Sequence, residues 1–244
     1  MRSIGLLAIA PVGLLAAFSQ TPAISVQGNQ IIPANRQEVT AKLPNRSSEI
    51  LAQAGASASL SAFEKGIIDE TNLARRNPAA YAAQMQKIRQ YYKGNRFELP
   101  GQIPILTQEG VKAVDEAINY LKSAKPLPPI TASRGMSLGA KDHVKDQGPK
   151  GATGHNGSNG SKPWDRVNKY GAWQKVVGEN ISYGPDDARK VVMQLIIDDG
   201  VPDRGHRVNI FKPDFRVSGV ACGPHKKYRT MCVITYAGGY TEKR

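Results

Sequence analysis

The segment that most constrains the fold is VSGVACGPHKKYRTMCVITYAGG, residues 217–239. Two runs rich in β-forming residues flank a short loop of glycine, proline and cations, a pattern typical of a β-hairpin. With the turn near Lys227, the only two cysteines, Cys222 and Cys232, fall opposite each other across the strands. We therefore predict a disulfide that contributes about 3 kcal/mol by closing a short loop. Two buried free thiols are the alternative.

The first residues, MRSIGLLAIAPVGLLAAFSQTPA, have the pattern of an export signal. One cation, Arg2, precedes an apolar run from Ile4 to Phe18. This run is too short to span a bilayer comfortably, but its length suits the core of a signal peptide. We predict a signal peptide over residues 1–23, a secreted or extracytoplasmic protein, and no transmembrane segment in the mature chain. An uncleaved membrane anchor is the alternative.

The remaining chain divides into a polar segment and one folded domain. Residues 24–59 are polar, small and aperiodic, which predicts a disordered region or linker. Leu60, Phe63, Ile67 and Thr71 have helical spacing, and Pro78 marks the start of a second helix. Further helical patterns precede the hairpin without a regular strand–helix alternation. This order predicts an α+β domain over residues 60–244.

The strongly basic composition indicates an affinity for anions. The formal net charge is +13, and such a surface attracts acidic polymers and anionic headgroups. The cations are scattered, however, in short groups such as KGNR, SAK, RVNK and PHKKYR. We therefore expect weak polyanion affinity and no specific binding of nucleic acid.

A small set of histidines and acids is the candidate chemistry. His155 lies in a glycine-rich loop, Glu179 lies in GEN, and His206 follows the acid pair Asp198 and Asp199. Two imidazoles and two carboxylates brought together could bind a divalent metal or transfer protons. The residues alone do not show that the four converge, and purely structural roles are the alternative. The motif HExxH and the phosphate-binding loop are both absent from the sequence.

Four motifs in order resemble those of a known superfamily. They are TNLARRNP at 71–78, HNGSNGSKPWDRVNKYG at 155–171, VVGENISYG at 176–184 and RGHRVNIFKPDFRVSGVAC at 204–222. Together they resemble the CAP superfamily (SCP, or cysteine-rich secretory, antigen 5 and pathogenesis-related 1), and most closely its bacterial SCP-like extracellular domains. The likeness covers about residues 60–240. It implies a three-layer α-β-α sandwich with a central antiparallel sheet and a large open cleft.

The same resemblance implies a cleft tetrad. His155, Glu179 and His206 match family positions, with His206 presented by a turn. Asp198 stands where the family often has glutamate, and Asp199 is its rival. His155 and His206 would hold a divalent metal, for which imidazole ligands favour zinc.

Two functions follow from the resemblance, and the sequence leaves open whether the protein is an enzyme. One is a binding module for a lipid, glycan or protein partner. The other is a metal-assisted secreted hydrolase, a protease or esterase, with Glu179 activating water. Asn72 and Arg75 are expected to stabilise the fold by hydrogen bonds. His143 is expected to be structural, and His225 exposed.

Overall fold

The computed structural model describes residues 60–243. The predicted signal peptide and linker lie outside these residues, so both remain predictions. The described elements are, in order, α1 (Ala62–Arg76), α2 (Pro78–Arg89), β1 (Tyr92–Lys93), β2 (Arg96–Phe97), β3 (Ile105–Leu106), α3 (Val111–Ser123), β4 (Thr131–Ala132), α4 (Arg134–Gln147), α5 (Pro163–Asn168), β5 (Gly171–Tyr183), α6 (Ala188–Ile197), α7 (Gly205–Ile210), β6 (Val217–His225) and β7 (Arg229–Glu242).

The central sheet has the strand order β4-β6-β7-β5, so β5 is an edge strand. Its three long strands pair antiparallel, as predicted. The two-residue strand β4 instead runs parallel to β6, because the chain enters it from α3 rather than through a hairpin. A separate small antiparallel sheet, β1-β2-β3, was not predicted, since two-residue strands carry too little pattern to be recognised.

Alternation along β7 produces the three layers. Met231 and Val233 pack with residues of α4 on one face of the sheet. Cys232, Ile234 and Tyr236 belong to the larger core formed with α1, α2, α3 and α6 on the other face. A strand covered on both faces is apolar at successive positions, as residues 231–234 (MCVI) are. The predicted three-layer α-β-α sandwich is confirmed.

The predicted first helix is confirmed, and the sequence at both of its ends explains its limits. Ser61 and Glu64 form a capping box at the start of α1. Asn77 ends this helix and caps the next, in which Pro78 occupies the first turn, where its missing N–H costs nothing.

Asn72 and Arg75 stabilise the fold by hydrogen bonds, as expected. The Asn72 side chain exchanges hydrogen bonds with the backbone of Ile130, at 2.9 and 2.7 Å. The fully buried Arg75 guanidinium donates to four backbone carbonyls, those of Pro128, Ile210, Lys212 and Phe215. Burial lowers the pKa of Arg75 to about 10, so this cation keeps its charge at neutral pH.

The hairpin of β6 and β7 forms as predicted. Cys222 and Cys232 are directly opposed across the strands and joined by a disulfide. The expectation that His225 is exposed is wrong. Its buried ring bonds the Ala152 carbonyl through Nε2, at 2.8 Å, and stacks on Tyr228. The neighbouring lysines misled the prediction, because their side chains point outward while the histidine between strand and turn points inward.

None of the helices in residues 60–243 is long and apolar enough to cross a membrane.

Candidate functional site

Glu179 lies near the middle of the edge strand β5 with its side chain only 1% exposed. Nη2 of Arg166 donates to both carboxylate oxygens, at 3.0 and 2.8 Å. The Nδ1 atom of His155 lies 2.9 Å from Oε1. Glu179 is thus a buried carboxylate held by one cation and one imidazole.

These partners decide the charge of Glu179. Burial alone would raise the pKa of this carboxyl group, but the hydrogen bond from His155 and the charge of Arg166 outweigh it. The net result is a lowered pKa, and the group stays ionised at neutral pH.

Arg166 is a functional residue that sequence reasoning missed. Besides Glu179, its buried guanidinium donates to the carbonyls of His155 and Ser161, each at 3.0 Å. It therefore holds the loop that carries His155 at two points, His155 itself and Ser161. Arg166 lies within the motif SKPWDRVNKYG. The motif does not show that this arginine is buried, because burial depends on the fold.

The loop of His155 is held from its other side as well. Nε2 of His143 bonds the Gly154 carbonyl at 2.8 Å, and the Tyr183 hydroxyl accepts from the Gly154 N–H at 3.0 Å. His143 is fully buried, which lowers its pKa and favours the neutral ring. It positions the loop, in agreement with the structural role expected for it.

The second histidine pairs with Asp198, not with Asp199. Nδ1 of His206 lies 2.6 Å from Oδ1 of Asp198, and the His206 N–H donates to Oδ2 at 2.9 Å. Asp198 ends α6 in the left-handed conformation, with φ of 59°, which turns its carboxylate back toward α7. Asp199 instead accepts from the backbone N–H groups of residues 108–110. His206 lies in the short helix α7, so the expectation that a turn presents it is wrong.

Asn180 connects the two histidine–acid pairs. Its amide donates to the His206 carbonyl at 3.0 Å and accepts from the Asn209 amide at 2.9 Å. Neighbouring residues of a strand point to opposite faces, so Glu179 faces α4 and α5 while Asn180 faces α7. Glu179 therefore bonds α5 and the loop of His155, while the adjacent Asn180 bonds α7. Within residues 60–243, no hydrogen bond or ion pair joins a side chain of one pair to a side chain of the other.

The resemblance implied an open cleft, but three of the four candidate side chains are almost fully buried. The side chains of His155 and Asp198 are 4% and 2% exposed, and only His206, at 13%, reaches the surface appreciably. The accessible part of the site is thus its α7 side.

The donor set fits two histidine ligands but not a catalytic zinc centre. Each Nδ1 atom faces a carboxylate, which leaves Nε2 as the ligand atom, as in many zinc-binding histidines. Glu179 and Asp198 are occupied as partners of the rings. Within the described residues, no group of three or more histidines, cysteines and acids could hold a metal ion. A catalytic zinc normally has three protein ligands, so zinc bound by His155 and His206 remains a prediction about binding alone.

The sandwich and its paired histidines and acids define an α+β domain of the CAP type. The model of the CAP family, described as the cysteine-rich secretory protein family, matches residues 116–236, which include all four candidate residues. The chain carries a CAP domain over these residues, similar to bacterial SCP-like domains. Among curated proteins it resembles the uncharacterized protein YkwD of Bacillus subtilis (strain 168), with 28% identity over 109 residues, or 45% of this chain. The match covers 40% of that relative's length.

Two solved structures are similar over about half of the chain. An outer surface protein of Borrelia burgdorferi is 16% identical, covering 48% of this chain and 80% of that one, with a TM-score of 0.39. An extracellular protein containing an SCP domain, from Bacillus anthracis str. Ames, is 19% identical, covering 52% and 37% of the two chains, with a TM-score of 0.38.

Proposed function

We propose that this protein is an exported binding module and not a hydrolase. The proposal rests mainly on one observation: Arg166 and His155 both bind the carboxylate of Glu179. A general base must reach water and have a pKa near the working pH. Glu179 is covered and has a lowered pKa, so it is poorly suited to activate water.

The surface beside His206 supports a binding role. On the same short helix Val208 is 51% exposed. Arg207 lies over the ring of the exposed Tyr120, with 5.4 Å between the guanidinium carbon and the ring centroid. The exposed side chains of Val208 and Tyr120 could supply apolar contacts to a partner. A lipid, a glycan or a protein could each bind this surface of α7 and Tyr120.

Export is proposed from two independent features. The first residues have the pattern of a signal peptide. The disulfide between Cys222 and Cys232 is of the kind that persists in oxidising compartments.

The proposal is tested by measuring whether the protein cleaves any substrate. Purified protein is incubated, with and without added zinc, with libraries of peptides, esters and glycans, beside the His206→Ala variant. We expect no cleavage above that of the variant. Cleavage by the wild type that is lost in His206→Ala would establish the alternative, a metal-assisted hydrolase, and overturn the binding module.

A further inference from the structure

The turn between β6 and β7 brings together cations that are separated in sequence. Lys226, Lys227 and Arg229 lie on this turn, and Lys150 lies on the loop after α4. The Lys226 N–H donates to the Gly148 carbonyl at 2.9 Å. A Cβ built on Gly151 would lie 3.4 Å from the Cβ of Lys226. We call these four cations the basic turn.

A buried aromatic cluster holds the basic turn in place. His225 bonds the Ala152 carbonyl through Nε2, and its Nδ1 accepts from the Tyr228 N–H at 3.1 Å. The ring centroids of His225 and Tyr228 are 5.2 Å apart, as are those of His225 and Tyr183. The turn and the loop therefore form one rigid support, and little backbone entropy is lost when a ligand binds there.

The charge of the basic turn is largely uncompensated. Lys226, Lys227 and Arg229 are exposed, and in the described part of the chain none of them has an ion-pair partner. Lys150 pairs with Asp146. The exposed Asp186 lies two residues after Gly184, whose N–H donates to the Thr230 carbonyl at 2.9 Å.

We propose that the basic turn binds an acidic polysaccharide, a glycan chain with repeated carboxylate, sulfate or phosphate groups. Lysine ammonium groups are mobile point charges, which suit repeated anions on a flexible polymer better than one fixed planar group. This inference rests on the proposed binding role and names its partner class, but it uses a surface other than α7.

Two observations favour a glycan over other polyanions. Among the described residues, the large apolar side chains that are exposed lie elsewhere, at positions 103, 105, 106, 120 and 208, so nothing at the turn could insert into a bilayer. The ring of Tyr228 is buried, and the Lys227 ammonium lies 5.3 Å from its centroid. It is therefore no platform on which nucleic-acid bases could stack.

The test compares two variants with the same net charge. One is Lys226→Gln, Lys227→Gln, Arg229→Gln; the other is Lys112→Gln, Lys122→Gln, Lys125→Gln, which removes three exposed cations from α3 and the loop after it. Binding to polygalacturonate at low salt is measured by biolayer interferometry, with dextran as the uncharged control polymer. We expect the basic-turn variant to bind about tenfold more weakly and the α3 variant to bind like the wild type.

Equal weakening in both variants would overturn the proposal, because net charge alone would then explain the affinity. Tighter binding of the wild type to phosphatidylglycerol vesicles or duplex DNA than to polygalacturonate would overturn the choice of a glycan. The proposed function has its own test: substrate cleavage that His206→Ala abolishes would overturn it. Such cleavage would not change how the basic turn binds polygalacturonate.

Discussion

Arg166 is the side chain on which the candidate site most depends, because it is the cation that balances buried Glu179. We expect Glu179→Gln to lower the free energy of unfolding by about 3–5 kcal/mol, since the arginine would keep a buried charge without a counter-ion. Urea denaturation measures the change. Asp69→Asn is the control: it breaks the exposed pair with Lys65 and should cost less than about 1 kcal/mol. Equal small losses would contradict the structural role of the buried pair.

The same pair predicts a pH dependence. The pKa of Glu179 is lowered in the folded state, so the unfolded chain takes up the proton first as the solution is acidified. The stabilisation is complete above the unfolded pKa of about 4.3 and is lost as the pH falls through the folded pKa. The gap in unfolding free energy between wild type and Glu179→Gln should therefore narrow below about pH 4.3. A gap that stayed constant from pH 6 to pH 3 would disprove this linkage.

Zinc binding is a separate prediction at the residue scale. If His155 and His206 bind the same zinc ion through one nitrogen each, the double variant His155→Ala, His206→Ala should lose the zinc affinity of the wild type. Calorimetric titration at neutral pH measures it, and His225→Ala controls for adventitious binding because that ring is buried behind Ala152. Equal binding by the wild type and the double variant would show that the two histidines are not a metal site.

At the scale of elements, the disulfide is the clearest prediction. Cys222→Ala, Cys232→Ala should lower the free energy of unfolding by about 3 kcal/mol, because the unfolded chain regains the entropy of an open loop. Dithiothreitol should have the same effect on the wild type and none on the double variant, with unfolding followed by circular dichroism. A wild type that is insensitive to the reductant while both thiols become labelled would contradict the prediction.

Periodic elements could be predicted from the sequence, and short ones could not. The spacing of Phe63, Ile67 and Thr71 gave the first helix, and alternation around the cysteines gave the hairpin. The helices α5 and α7 have six residues each, fewer than two turns, so periodicity cannot reveal them. Tertiary contacts, rather than local propensity, determine such short elements.

The candidate site shows the same division between motif and fold. Resemblance identified His155, Glu179, Asp198 and His206, and the structure pairs each histidine with one of the acids. It did not reveal that Arg166 neutralises Glu179, nor that Asn180 connects β5 to the backbone of His206. Both facts depend on strand parity and burial, which no single motif contains.

At the scale of the whole molecule, export remains to be tested. We expect the mature protein to begin between about residues 19 and 30, because signal peptides have such lengths. Intact-mass measurement of protein recovered outside the cytoplasm checks this, with a truncated chain starting at residue 24 as the mass standard. Retention of Met1 or Arg2 in the exported protein would disprove cleavage.

The contacts of α1 also determine when the chain can fold during its synthesis. Arg75 donates to carbonyls 135 to 140 positions later, and the Cys222 N–H donates to Glu64 across 158 positions. These contacts of the first helix therefore cannot form until nearly the whole chain has left the ribosome, and contacts so distant in sequence form slowly. For the export proposed above, this delay would be an advantage, because a nascent chain that cannot yet close its core can still pass through a narrow translocation channel.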